Sequence, residues 1–222
     1  MRIGVIQASS QAEKNLSLYQ AVENCAREHE VINFGCFEGE EENYSYIDIS
    51  VEIGLLLMSG AIDFVVTGCS SGQGMMLACN NMPGVLCGYT PTPQDAYLFG
   101  RINNGNAVSV PLGLNYGWAG EINLRYIMEA LFCEPMGTGY PPEEAERKKR
   151  DARLLKEIGE KAQVSMPELM CGLDVEIVRS ALQRRNVVDY IWRNGSDTEI
   201  RNWLSNVSYE TVLRKGNVGT AE

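Results

Sequence analysis

Through the first 132 residues, short apolar runs alternate with stretches of helical periodicity, and a parallel sheet wound with crossover helices is the architecture that accommodates such alternation. Ile3 to Gln7 predicts a first strand, followed by a helix from about Ala12 to His29 with Leu16, Tyr19, Val22, Cys25 and Ala26 on its inner face. Val31 to Phe34 returns as the second strand. Tyr46 to Met58 predicts a helix burying Ile49, Ile53, Leu56 and Leu57 and ended by Gly60. A third strand, Ile62 to Thr67, runs into Gly68-Cys69-Ser70-Ser71-Gly72-Gln73-Gly74 and a short helix. Strands at Val85 to Cys87 and Ala107 to Val110, with helices from Pro93 to about Arg101 and from Ala119 to Phe132, complete an α/β sheet of five parallel strands.

At Pro135 to Pro142 the composition shifts to Gly and Pro, which marks a boundary between a sheet domain, residues 1–139, and a helical C-terminal extension, residues 140–222. Glu143 to Lys161 predicts a charged helix with Ala145, Ala152, Leu155 and Ile158 as its apolar stripe, and two or three more helices follow. Ser196-x-x-Glu199 ahead of Trp203-Leu204 has the form of a capping box, and Lys215 to Glu222 reads as a frayed tail. The extension is expected to pack on the core or on a partner subunit, closing over a neighbour's site.

Nineteen Lys and Arg against twenty-nine Asp and Glu give a net charge of −10, a field that repels polyanions and argues against a nucleic-acid partner. No run approaches the roughly 18 consecutive apolar residues that would suggest a membrane span. The chain opens directly into a strand without an apolar leader, and its seven cysteines are scattered, with no C-x-x-C pair and no His beside them. Reduced thiols and a cytoplasmic location are therefore expected.

The chemistry is expected at the loop from Gly68 to Gly74, because open parallel sheets bind ligands outside the carboxyl ends of their strands. Its three glycines permit a tight turn whose N–H groups, at a helix start, can converge on an anion or a developing oxyanion. The loop is neither a Walker A motif, since no Lys follows Gly74, nor a dinucleotide fingerprint, since the third glycine is missing. A turn that needs positive φ angles for structure alone has the same composition. Cys69 lies inside the loop beside a helix start, whose partial positive charge favours an anionic sulfur, and it is the candidate base or nucleophile. Cys79, Cys87 and Cys133 fall within predicted helices or strands and read as inert.

The run from Asp63 to Val85, with its Cys-x-Ser-Gly-x-Gly loop, downstream Asn and Pro83-Gly84 turn, followed by Arg101-Ile102-Asn103-Asn104-Gly105-Asn106, resembles the ribose-5-phosphate isomerase B and galactose-6-phosphate isomerase family over about residues 1–132. The resemblance implies a Rossmann-like three-layer sandwich and a metal-independent, cofactor-free aldose-ketose isomerase acting on a pentose or hexose phosphate. It also implies a homodimer or homotetramer with shared sites. Cys69 takes the position of the family's proton-shuttling cysteine and Ser71 that of the hydroxyl assisting ring opening. The amides of Ser70, Gly72, Gln73 and Gly74 stabilise the enediolate in this reading, Asn104 holds the intermediate, and Arg101 is a phosphate or subunit contact.

The departures point toward a different substrate. The family's Asp-His after the first strand is replaced by Gln7-Ala8-Ser9-Ser10, with Ser9 left as a candidate hydroxyl contact. The ring-opening histidine falls at Asn103, and the one His of the chain, His29, is expected at the surface. In place of the phosphate-holding Gly-Gly-Arg-His pattern stands Gly137-Thr138-Gly139-Tyr140, leaving Arg147-Lys148-Lys149-Arg150 as substitutes. Tyr44, Tyr46 and Tyr89 are candidate pocket walls or ordinary packing, and Met75, Met76 and Met82 read as core. Isomerisation or epimerisation of an unphosphorylated sugar, and a catalytically silent sugar-phosphate binding protein, stand as alternatives.

Overall fold

Strands β1 (Arg2–Ile6), β2 (Glu30–Gly35), β3 (Phe64–Cys69), β4 (Cys87–Tyr89) and β5 (Ala107–Pro111) form an all-parallel sheet in the order β2-β1-β3-β5-β4. This computed structural model describes residues 1–213, with side chains to residue 207, so the tail expected at Lys215 to Glu222 lies outside the described residues. All six residues of β3 are buried, as a central strand covered on both faces requires.

Two helical layers cover the sheet. On one face α1 (Asn15–Cys25) and α5 (Gly120–Phe132) bury Leu18, Val22, Leu124, Ile127 and Leu131 against Ile3, Val5, Val66 and Val108, near α4 (Pro93–Leu98). Of the expected inner face of α1, Val22 and Ala26 are buried and Tyr19 and Cys25 pack against the core, whereas Leu16 is 62% exposed and Leu18 lies inside. On the other face lie α2 (Tyr46–Met58) and α3 (Gln73–Asn80). Every residue of α2 from Ile49 to Leu57 is buried, and a helix apolar all round needs cover on its outer side too.

The extension supplies that cover within the same chain. Helices α6 (Ala145–Ala162), α7 (Met166–Gly172), α8 (Val175–Gln183), α9 (Arg185–Asn194) and α10 (Thr198–Leu213) follow, four after α6 rather than two or three. Met166, Met170, Val178, Ala181, Val187, Ile191, Ile200 and Leu204 join the core that contains Ile53, Leu56 and Val65. Ala152 is the buried residue of α6, whereas Leu155 and Ile158 face outward. The helix start expected at Ser196 is capped instead by Asp197, whose Oδ1 accepts from Ile200 N at 2.8 Å. Among the described residues no helix is long and apolar enough to cross a membrane.

Candidate active site

The direction of the strand order reverses between β1 and β3, and the crevice at such a switch point is where open sheets take ligands. Cys69 closes β3 as its last residue, one step inside the loop in which the sequence placed it, and is 9% exposed. The turn after it is held on all sides. Leu112 N donates to Cys69 O at 3.0 Å, Gly113 and Leu114 N to Ser70 O at 3.0 and 2.7 Å, and Ser109 Oγ to Gly72 O at 2.7 Å. Gly72 sits at φ +76°, and a Cβ there would come within 2.8 Å of the Tyr89 ring and of the Val110 carbonyl carbon, so the turn admits only glycine.

This anchoring uses the carbonyls of the turn and leaves its donors free. Ser71 Oγ accepts from Gln73 N at 3.3 Å, while among the described residues the amides of Ser70, Ser71, Gly72 and Gly74 donate to no protein acceptor. Unpaired amides beside a thiol at a helix start are donors of the kind that an oxyanion can use. Tyr46 packs 3.7 Å from the Cβ position of Gly74, so Tyr46 and Tyr89 flank the turn.

The loop after β1 forms the opposite wall. Ala8 N donates to Gly68 O at 3.3 Å, and Gln11 Nε2 to Ser70 Oγ at 2.9 Å. Ser9 exchanges two bonds with Tyr44, its N donating to Tyr44 O at 3.0 Å and its Oγ accepting from Tyr44 N at 2.8 Å. Gln7 is wholly buried, donating to Cys36 O at 2.6 Å and accepting from Asn15 Nδ2 at 2.8 Å. It is structural, while Ser9 is half-buried and Gln11 is buried at 9% exposure against the Cys69 turn. Beside the turn a cavity of about 370 Å³ is lined by Tyr89, Thr92, Gln94, Pro111, Asn115 and Tyr116, with Lys14 Nζ 4.9 Å from the Tyr116 ring.

A second set of expected residues lies elsewhere. Val65 pairs with Ala107 and Cys69 with Pro111, so Arg101, Asn103 and Asn104, which precede β5, stand at the amino end of the sheet. Four residues of strand, about 13 Å, separate them from the Cys69 turn. Arg101 does not offer its guanidinium to a ligand as expected. It is 1% exposed, donates to Leu131 O at 2.9 Å, and lies 3.9 Å from Glu134. Asn104 caps its turn at φ +49° and packs against Gly137. The segment from Gly137 to Tyr140 belongs to the same end, with Gly137 N on Gly100 O at 2.8 Å and Gly139 N on Arg101 O at 2.9 Å. Arg147, Lys149 and Arg150 are paired on the surface of α6 with Glu144, Asp151 and Glu146.

Behind the Ser9 wall lies a buried pairing of a guanidinium with a carboxyl group that sequence reasoning missed. Glu52 of α2 accepts from Arg184 Nη1 at 3.0 Å, and burial pushes its carboxyl up to about 8 against the pull of Arg184. Burial likewise raises the Cys36 thiol and the Tyr44 phenol nearby. The signal was an acidic residue inside an otherwise apolar helix, at Glu52.

A sequence model of the Ribose/Galactose Isomerase family matches residues 3–127. No curated protein matches the chain. Among solved structures, a 4-deoxy-L-threo-5-hexosulose-uronate ketol-isomerase complexed with a tartrate is 38% identical, with a TM-score of 0.89 over 94% of this chain and 100% of that one. A ribose-5-phosphate isomerase from Vibrio parahaemolyticus is 35% identical, with a TM-score of 0.88 over 93% of this chain and 99% of that one. The type B ribose 5-phosphate isomerase of Trypanosoma cruzi shares the fold at 20% identity and a TM-score of 0.61, covering 73% of this chain and 98% of that one. The first two therefore share the helical extension.

Proposed function

The chain belongs to the ribose/galactose isomerase family, and on that premise we propose that it is a ketol isomerase of an unphosphorylated, carboxylate-bearing sugar, with Cys69 as its base. The thiolate takes the proton from the carbon beside the carbonyl of the open-chain sugar, and the electron pair moves to give a cis-enediolate. The free amides of Ser70, Ser71, Gly72 and Gly74 meet the oxyanion. A proton passes between the two enediol oxygens, with Ser71 Oγ at hand. The Cys69 thiol then returns its proton to the neighbouring carbon, leaving the carbonyl on the other one. Asn103 and Asn104 reach this turn from a second copy of the chain, since their own turn is at the far end of the sheet.

The observation that carries the reading is the row of unpaired amides directly after Cys69. The substrate class is supported by how the arginines are engaged: Arg101 is buried on Leu131 O, Arg184 on Glu52, and Arg147 and Arg150 on carboxylates of α6. Among the residues lining the cavity beside the Cys69 turn there is no arginine, and the cation near it is Lys14, 4.9 Å from the Tyr116 ring and paired with Glu13 at 3.1 Å. The uronate ketol-isomerase that matches this chain over its extension supports the same class. The identity of 35% with the Vibrio ribose-5-phosphate isomerase favours a pentose phosphate as the second reading.

Proton NMR in deuterated water decides between them, with 4-deoxy-5-hexosulose uronates, hexuronates, ribose 5-phosphate and galactose 6-phosphate as the panel. Deuterium entering a uronate at the carbon beside its carbonyl is expected, with Cys69→Ala slowing it about 100- to 10,000-fold. Turnover of the phosphates alone overturns the substrate class, and full exchange by Cys69→Ala overturns the base.

A further inference from the structure

Arg184, at the junction of α8 and α9 and 4% exposed, carries a charge of the extension to the back of the site. Its Nη1 donates to Glu52 Oε2 at 3.0 Å, its Nη2 donates to Phe34 O, and its guanidinium lies 4.9 Å from the centre of the Tyr44 ring. Glu40 Oε1 stands 3.8 Å from Nη2. Gly35 gives it room, for a Cβ there would lie 2.9 Å from Nη2. One side chain thus touches the end of β2, the middle of α2, and the middle and the end of the loop leading to Tyr44.

From Tyr44 the contacts continue to the chemistry. Tyr44 and Ser9 exchange their two bonds at 2.8 and 3.0 Å, and the Ser9 loop meets the Cys69 turn through Ala8 N on Gly68 O and Gln11 Nε2 on Ser70 Oγ. We propose that Arg184 is a positioning residue for the isomerase site, holding the 36–44 segment so that Ser9 stands at a fixed place beside the Cys69 turn. The proposal rests on the function assigned above. A buried ion pair adds little net stability over an apolar pair of similar volume, whereas a planar fork with five donors fixes several partners in one orientation. The arrangement therefore suits orientation better than stabilisation.

The test separates the two. Arg184→Met combined with Glu52→Leu removes both charges and leaves an apolar contact, and Arg184→Lys keeps the charge without the fork. Both variants are expected to melt near the wild type. Their deuterium-exchange activity on the sugar that the panel identifies is expected to fall at least tenfold in kcat/KM. Ser9→Ala added to either is expected to cost nothing further, because the two act through one placement. Activity within twofold of wild type in the apolar pair, or losses that multiply with Ser9→Ala, overturns the inference. A second readout needs no substrate: amide hydrogen exchange at Ser9 and Tyr44 is expected to accelerate at least tenfold in both variants. Unchanged protection there overturns the positioning role even if the sugar panel stays silent, a silence that counts against the assigned reaction alone.

Discussion

Two arginines are buried at opposite ends of the sheet, and they are finished to different degrees. Arg184, behind the carboxyl end, meets a carboxylate, a carbonyl and an aromatic face. Arg101, at the amino end, donates to Leu131 O and packs on Tyr97, but its Nε and Nη1 find no hydrogen-bond partner. Buried donors are rarely left unpaired, so the amino end has the character of a surface that something else completes. Toward the carboxyl end no nitrogen of Arg184 is left so, although Glu52 Oε1 and Thr67 Oγ1 are also buried without a hydrogen-bond partner. In the reaction proposed above, one chain supplies the reacting half of the site and a second copy supplies the holding half, Asn103 and Asn104.

The largest test strikes the finished end. Gly72→Ala puts a Cβ into the Tyr89 ring at a positive φ, and the turn must shift to accept it. A displacement of that kind is expected to lower kcat/KM about 100-fold, with the fold kept, as read by deuterium exchange and circular dichroism. A variant of wild-type activity would break the idea that the amides need this turn. The next test concerns the unfinished end. Cys69→Ala and Asn104→Ala are each expected to be inactive, and equal mixing after subunit exchange is expected to restore about a quarter of wild-type activity, since half the dimers then carry one complete site of two. No recovery would place both residues in one chain's site or remove Asn104 from it.

How much of this was legible follows the range of the interactions. The Cys69 turn was readable because its requirements are local: a thiol at a strand end, and a glycine where the backbone needs one. The sheet and its order of elements were readable for the same reason, and the matched span 3–127 carries the resemblance. The inner face of α1 was read correctly at Val22 and Ala26 and missed at its first turn, where Leu16 is exposed and Leu18 is buried behind a 3-10 segment that the periodicity does not signal. Glu52 read as a break in an apolar run, because its partner Arg184 lies 132 residues downstream. Of the unbroken burial of α2 from Ile49 to Leu57, which calls for a further layer, the periodicity showed Ile49, Ile53, Leu56 and Leu57. The extension was expected to pack on the core or on a partner subunit, and the core of its own chain is where Met166, Val178, Ile191 and Leu204 are buried.

Arg101→Met probes the amino end energetically. It removes the bond to Leu131 O and the ring contact with Tyr97 while keeping the volume. The expected loss is about 1–3 kcal/mol, a drop of roughly 2–12 °C in thermal midpoint for a chain of this size, with kcat nearly unchanged. A fall in kcat with the midpoint intact would instead make Arg101 a ligand contact and reverse its assignment here.

The smallest effect returns to the carboxyl end. The Glu52 carboxyl is raised to about 8 by its burial, Arg184 pulling it down and Asp48 and Glu40 pushing it further up. A carboxyl that titrates higher in the folded chain than in the unfolded one binds its proton more tightly when folded. Its stabilising contribution is therefore complete below the ordinary carboxylate range and is lost as the pH rises through about 8. Stability of the wild type is expected to decline between pH 5 and 8.5, but a chain of net charge −10 also declines through general repulsion. Glu52→Gln separates the two causes, since it keeps the shape and discards one titration. Urea midpoints of the two proteins are expected to diverge with pH, the wild type losing more as the pH rises. Parallel curves would mean that Arg184 holds Glu52 ionised across the whole range, and the carboxyl end would then be as firmly paired at pH 5 as at pH 8.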